Sequence, residues 1–524
     1  MKKNFSKLVV GVSILLLINT VAAQQTLLQA NKKELIFSAV KGTESKTGSI
    51  SFSSKNSEKI SFRISGEKSE NFKLVGSLPN KIAANQKINL SLVFAPSNDD
   101  IGILKAKLQV VGSSGKIIAE TDLKGLSLKG LEGENEPSLK TVIEILEYQV
   151  NNGWNTLANN LKPDLQGEEI IASSFRKATQ GEVEMIPVAR FSPDFELPFG
   201  YYVASPNGPE LHQVGALSKT KDKPEHQTLF PSISSGSNSF DPGEKTFGLY
   251  STGAGHSVYS LDDWNILLHP NNASHAIRTY PLKDQQGKLV SNTYLVCFEE
   301  AKNGDYNDYV FILKNVQPVT LSEEYSNLFN GKNLEGWDIF LSGKELNNDT
   351  EKNFTVQTDE AVHVKGKELG YIRTKKGFNN YHFIVEFKWG EKKWPPREDA
   401  KRDAGICYNI PGNEPDSIWP KSIECQIQEG DTGDFWLLSF STITVNDTTN
   451  KPANHTRMVK KLDAEKPTGQ WNTVEVISYN GRCVHIVNGV VVNAGDKASI
   501  TNGRILLQSE YSEVYYRNAK VMQL

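Results

Sequence analysis

Short runs in which apolar and polar residues alternate recur along nearly the whole chain. ELIFSAV, GSISFSS, ISFRISG, INLSLVFAP and AKLQVVG follow one another between residues 25 and 130. Successive side chains on a strand point to opposite faces, so each run reads as a strand with one buried face. Turn residues separate the runs at the spacing of a β-sandwich. The Gly- and Pro-containing acidic stretch GLEGENEPSL then reads as a linker into a second β-domain, 138–319. From about 325 to 524 the runs continue as FTVQ, AVHVKG, GYIRT, HFIVEFKWG, GICYNI, SIECQIQ, FWLLSF, WNTVEVISY, CVHIVNGVVVN, RILLQS and VYYRNAKVMQL. Ten or more strands without a convincing helix predict a two-sheet jelly roll. The Asn-Gly pairs in VISYNGRCVHIVNGVVVN predict tight hairpins. The expected fold is therefore all-β and multidomain.

Composition agrees. The 524 residues are 38% hydrophobic and 23% charged, and the net charge of −3 gives no electrostatic footprint for nucleic acid. Residues 1–23 have the parts of an export signal: Lys2, Lys3 and Lys7, the apolar run Leu8 to Ile18, and small residues at Val21-Ala22-Ala23. The apolar run is shorter than the roughly 20 residues of a spanning helix. The expectation is a soluble mature protein in the periplasm or outside the cell. Cys297, Cys407, Cys425 and Cys483 are too few for a disulfide framework and lack metal-type spacing. Cys425 lies on an apolar row, as a small buried hydrophobe would.

Two segments carry candidate chemistry. In WPKSIECQIQEGDTGDFW, Ser422, Glu424, Gln426 and Gln428 alternate with Ile423, Cys425 and Ile427. One face is a polar row with a carboxylate among carboxamides; it is either a solvated surface or the floor of a sugar site. In NTYLVCFEEAKNGDYNDYVFILKNV, Glu299 and Glu300 end one strand, and Asp305, Asn307 and Asp308 precede the next. Closely spaced oxygen ligands of this kind suit a hard cation, possible Ca²⁺ in the second domain, while a solvated turn built from Asp and Asn is the alternative. His256 and His275 are lone histidines.

Resemblances sharpen the picture. Gly66, Phe72, Phe94, Pro96 and Gly102 give the first domain a likeness to the immunoglobulin-like family of abnormal-spindle and hydin proteins, which implies a spacer or docking module. The acidic loop resembles that of the bacterial LruC-type β-domains. LFNGKNLEGW, WPKSIECQIQEGDTGDFW, WNTVEVISYNGRCVHIVNGVVVN and GRILLQSEYSEVYYRN, in that order, resemble the bacterial 3-keto-disaccharide hydrolase family. That resemblance implies a concanavalin-like jelly roll, export, and action on glycosides oxidised at sugar carbon three, hence an oxidoreductase partner that supplies them. The chain departs from the family's pattern at Asp403-Ala404-Gly405 and Tyr408-Asn409, where Asn409 stands in place of a histidine, and at Ser509-Glu510-Tyr511.

A ketone at carbon three acidifies the proton on carbon two, so a base can drive elimination of the substituent on carbon one. This needs a base, donors for the enolate oxygen and an acid for the leaving group. Glu424 is the expected base, with Lys421, Arg402 and Lys393 as candidates to stabilise the enolate. Gln426, Gln428 and Asp434 are candidate sugar contacts, and Trp394, Trp419 and Trp436 candidate stacking surfaces. A competing scheme pairs Glu424 with Glu429 as a retaining glycosidase, although the two point to opposite faces unless the strand bulges. Another alternative is a lectin-like protein that binds glycan without turnover.

Overall fold

The computed structural model describes residues 28–158, 164–253 and 255–524; the export-signal reading of 1–23 falls outside them. The chain forms two compact units dividing after Ser127. In the first, a four-stranded sheet and a five-stranded sheet enclose a core that includes Phe37, Phe52, Phe72, Phe94, Leu108 and Leu123. The alternation in ELIFSAV is literal: Leu35, Phe37 and Ala39 are buried and their neighbours less so. Gly125 is needed because a Cβ there would lie 2.2 Å from the Phe94 ring.

The second unit begins with a six-stranded and a five-stranded sheet packed around Phe175, Phe199, Phe298, Phe311 and their neighbours. Short helices interrupt the β-pattern, among them Leu139–Ile145, capped by the Ser138 side chain, and Asp262–Leu268. Beyond residue 325 the chain builds two stacked antiparallel sheets of eight strands each. One carries β1 (Trp337–Leu341), β2 (Gly370–Thr374), β3 (Asp403–Ile410), β4 (Ser422–Gln428), β5 (Phe435–Leu438), β6 (His455–Met458) and β7 (Asn502–Ser509), in the spatial order β1-β2-β7-β3-β4-β5-β6. The other is centred on Tyr381–Lys393, flanked by Ser512–Gln523 and Asn472–Tyr479. Between the sheets lie Ile406, Tyr408, Ile423, Cys425, Ile427, Phe383, Val385 and Phe387. The protein is thus nearly all β.

Both Asn-Gly pairs close two-residue hairpins. Tyr479 pairs with Arg482 and Val487 with Val490, and Asn480, Gly481, Asn488 and Gly489 all have positive φ. Two positive φ angles in sequence match the twist of the flanking strands, and Asn-Gly supplies them at least steric cost. The four cysteines are buried and unbridged.

The helix Asp262–Leu268 joins the two halves of this unit. Trp264 meets Tyr479 edge-on at 5.2 Å, within a cluster that includes Tyr202, Tyr259, Ile486, Met522 and Leu524. At its margin His382 places Nδ1 3.0 Å from Asp263 and Nε2 3.0 Å from Glu475. Burial opposes a charge on His382, but the two carboxylates override it and raise its pKa from 6.5 to about 10. The native state therefore holds a proton that the unfolded chain releases above 6.5. The stabilisation is full below pH 6.5 and fades as pH climbs toward 10. His382→Gln should cost about 3 kcal/mol at pH 7, since it leaves buried carboxylates uncompensated. It should also flatten the fall in stability between pH 6.5 and 10, read from denaturant midpoints; a parallel fall in both proteins would show that the histidine carries no charge.

Candidate active site

The alternation of β4 decides what faces outward. Ile423, Cys425 and Ile427 enter the core between the sheets, so Ser422, Glu424, Gln426 and Gln428 share the opposite face. Register brings neighbours to this row. Cys407 of β3 and Trp436 of β5 lie either side of Glu424, Gly405 lies beside Gln426, and Asp403 beside Gln428. Across β3, Leu506 of β7 pairs with Cys407, and Tyr371 of β2 pairs with Gln508. Tyr371, Cys407, Leu438 and Leu506 form an apolar patch bordered by Phe340, Trp419 and Trp436. Two of the three tryptophans read from the sequence thus flank one floor with the glutamate.

The chemistry lies in three carboxyl groups. Asp403, Glu424 and Glu510 are only 4%, 5% and 7% exposed. Gly405 makes room for the middle one: a Cβ there would meet Glu424 Oε1 at 2.0 Å and Gln508 Oε1 at 2.3 Å. Burial, with repulsion from Glu510 and Asp403, pushes the Glu424 pKa well above the carboxylate range. A hydrogen bond from the Gln508 side chain opposes that rise without cancelling it. Burial and the charge of Asp403 raise Glu510 to about 8, against the pull of Arg397. Asp403 is raised less, to about 6, because burial is opposed by the Arg397 guanidinium and by the Gln428 amide donating to its Oδ2 at 2.7 Å. Like charges in a dry site cannot all ionise, so their pKa values spread apart.

Arg397 comes from the loop between Lys393 and Asp403. It ion-pairs with Asp403 and lies 3.6 Å from Glu510. Lys393 Nζ donates to the Ala400 carbonyl, which braces this loop. Trp394 is tied to the Tyr511 carbonyl through its main chain and to the Lys365 carbonyl through its indole. The Lys393 ammonium and the Trp394 indole N–H are thus both engaged by main-chain carbonyls.

Several residues expected at the site are engaged elsewhere. Glu429 lies beyond the end of β4, where burial disfavours its charge but the Arg402 main-chain N–H, the Thr468 hydroxyl and the Arg402 guanidinium more than compensate and lower its pKa. Arg402 is spent on Glu429 and on the Gly390 and Glu391 carbonyls. The nucleophile pairing of Glu424 with Glu429 and the enolate role for Arg402 are therefore corrected. Asp434 is fully buried between the Arg457 guanidinium and the Lys460 main-chain N–H, so it is no free sugar contact. Lys421 is anchored through its main chain to Glu414, before β4 begins. Gln426 turns its Oε1 to the Ile427 N–H.

Asn409 also sits away from the floor. Its positive φ falls where the β3–β7 register shifts, and its side chain joins Tyr381 and Ser478 between the sheets. The missing histidine thus leaves no gap in the acidic cluster. Tyr511 has φ 55° in the connection between β7 and the strand Ser512–Gln523, a conformation glycine adopts without strain.

In the second domain, Glu299, Asp305 and Asp308 bring carboxylate oxygens within 4.8 Å of one another. Glu300 is not in the cluster: it accepts from the Tyr309 hydroxyl and feels the charge of Arg190. It is corrected from a candidate metal ligand to a partner of Tyr309. His275 lies between Asp262 and Glu169.

Residues 324–522 match the family model described as a 3-keto-alpha-glucoside-1,2-lyase-like domain. The motif resemblance in the last 200 residues is thereby established, and the domain is of a carbohydrate-active kind. None of the curated proteins matches the chain. Among solved structures, similar chains include a candidate glycosyl hydrolase from Parabacteroides distasonis (22% identity, 39% of this chain and 98% of that one, TM-score 0.28). A β-glucanase from Bacillus licheniformis (13%, 38% and 97%, 0.26) and the carbohydrate-binding module CBM66 from Bacillus subtilis (6%, 36% and 96%, 0.25) are also similar.

Because the folded-state pKa values of Asp403 and Glu510 lie above their ordinary 3.8 and 4.5, the native protein binds more protons than the unfolded chain across that window. Stability should fall as pH rises from about 4 to 8. Arg397→Met removes the opposing cation, raises both pKa values and should steepen the fall, measured as denaturant midpoints from pH 5 to 8. An unchanged slope would show that Arg397 does not act as their counter-charge.

Proposed function

We propose that this protein is an exported enzyme that cleaves 3-keto glycosides by elimination across carbons one and two. The observation that carries the reading is the trio Asp403, Glu424 and Glu510, gathered on the polar face of one sheet with their proton affinities driven apart. General acid–base chemistry needs one group that is ionised and another that is protonated at the same pH. Asp403, which Arg397 and Gln428 hold below Glu510, is the base that takes the proton from carbon two. Glu424, held neutral by burial and by its two acidic neighbours, is the acid that gives a proton to the departing oxygen. As the carbon–hydrogen bond at carbon two breaks, the electron pair forms the carbon one–carbon two double bond and the glycosidic bond to carbon one opens. The products are an unsaturated keto sugar and the free alcohol.

The sequence-based choice of Glu424 as base changes in this reading because its environment favours the protonated form. Elimination, rather than direct hydrolysis, also accords with the lyase description of the matched family model. Trp419 and Trp436, half-buried at the border of the apolar cluster, give pyranose rings faces to stack on. Such a substrate must be supplied by an enzyme that oxidises a sugar at carbon three. Export rests on the leader-like residues 1–23, and the mass of the secreted chain tests it.

A second reading follows from Arg397. While its guanidinium remains on Asp403 the base is occupied, and the cleft would hold a glycan without turnover. A panel of 3-keto and unoxidised disaccharides separates the two. Asp403→Asn and Glu424→Gln should each lower kcat on 3-keto substrates by about 10²-fold or more, with an unsaturated keto sugar as the wild-type product. Binding of intact glycans with no product from either panel would establish the non-catalytic reading.

A further inference from the structure

The second domain carries a separate cluster that the proposed reaction does not use. The loop from Glu299 to Asp308 joins the strands Leu289–Phe298 and Tyr309–Lys314 at the centre of that domain's six-stranded sheet. It folds back so that the carboxylates of Glu299, Asp305 and Asp308 converge within 4.8 Å, at 0%, 1% and 5% exposure. Among the described residues no lysine, arginine or histidine forms an ion pair with any of the three. Two neighbouring cations are engaged elsewhere: Arg190 with the Pro193, Phe195 and Ser218 carbonyls, His275 with Asp262 and Glu169. Glu136, which feels the charge of Glu299, adds to the negative potential.

A second observation comes from Asn307. It is fully buried, with its main-chain N–H 3.5 Å from Asp305 Oδ1, so it packs against the cluster. Its Nδ2 donates to the Pro137 carbonyl at 2.7 Å, while its Oδ1 is buried with no donor. A buried amide oxygen without a partner costs free energy unless something positive meets it. Main-chain N–H groups hold the arrangement in place: Ala301 and Asp305 donate to Glu299, and Glu300 donates to Asp308.

We propose that Glu299, Asp305, Asp308 and the Asn307 amide oxygen form a binding site for one calcium ion that locks the second domain. All four donors are hard oxygens, which select calcium or magnesium over zinc or copper. The irregular loop and mixed carboxylate–amide set suit calcium, which tolerates varied geometry, better than magnesium, which demands a near-octahedral shell and keeps most of its water. The site is independent of the glycoside reading, since no residue is shared with the Asp403–Glu424–Glu510 cluster.

The test uses the full purified chain, stripped with EDTA and returned to calcium or magnesium chloride at pH 7.5. Calorimetric titration should give one calcium per chain, and 1 mM calcium should raise Tm by about 5 °C or more over the stripped protein. Magnesium at the same concentration should give less than half that shift. Asn307→Ala, which keeps every charge, should weaken calcium binding by roughly tenfold. Identical Tm in EDTA and calcium, with no heat of binding, would overturn the proposal in the wild-type protein without recourse to a variant. A magnesium response equal to that of calcium would overturn the choice of ion. Unchanged calcium affinity in Asn307→Ala would remove the amide from the site.

Discussion

Carboxyl groups sealed inside β-structure set the terms for this protein. An isolated carboxylate in a dry interior is too costly to keep ionised, so each buried acid must meet a cation, take up a proton or collect hydrogen-bond donors. The second unit resolves this in different ways. His382 is held charged between Asp263 and Glu475. Asp434 is matched by Arg457. Among the described residues Asp403, Glu424 and Glu510 share one guanidinium, which leaves protons to make up the remainder. That shortage is what the proposed acid–base role rests on.

The floor around those acids exists because two sheets share one core. With Ile423, Cys425 and Ile427 fixed between the sheets, β4 has no freedom to turn Glu424 anywhere but the outer face. A slip of one residue would exchange the rows completely. Gly405 then sets how close the neighbouring strand can approach the carboxyl, since any side chain there would occupy the space of Glu424 and Gln508. Packing, register and one missing Cβ thus fix the position of the Glu424 carboxyl.

How much of this can be read from the sequence follows from the range of each interaction. Alternation and turn chemistry are local, so the strands, the Asn-Gly hairpins and the two rows of β4 are legible residue by residue. Charge pairing is not local. Nothing in QIQEGDTGDFW announces that Asp434 will meet Arg457 or that Glu429 will meet Arg402, and both look available for sugar until the strands are assembled. Asp403 and Glu510 are missed for the converse reason. They stand in strands and connections far from Glu424 in sequence, and their only early sign was their place in segments that depart from the family's pattern. Asn409 looked like a lost catalytic group, yet the register shift in β3 turns it into the core.

The contrast between the two acidic trios shows why similar residues need not share a role. Around Glu424 the acids border an apolar floor with tryptophan edges and face a loop that brings an arginine. Burial raises all three, and Arg397 holds Asp403 the lower of the two it touches, the spread on which the proposed proton transfer rests. Around Asp308 the acids stand beside an unpartnered amide oxygen, no arginine or lysine among the described residues forms an ion pair with them, and main-chain N–H groups fix their positions. Oxygens gathered in that way are what the proposed calcium site rests on. The difference lies in the partners that the fold brings to each cluster, not in the residue types themselves.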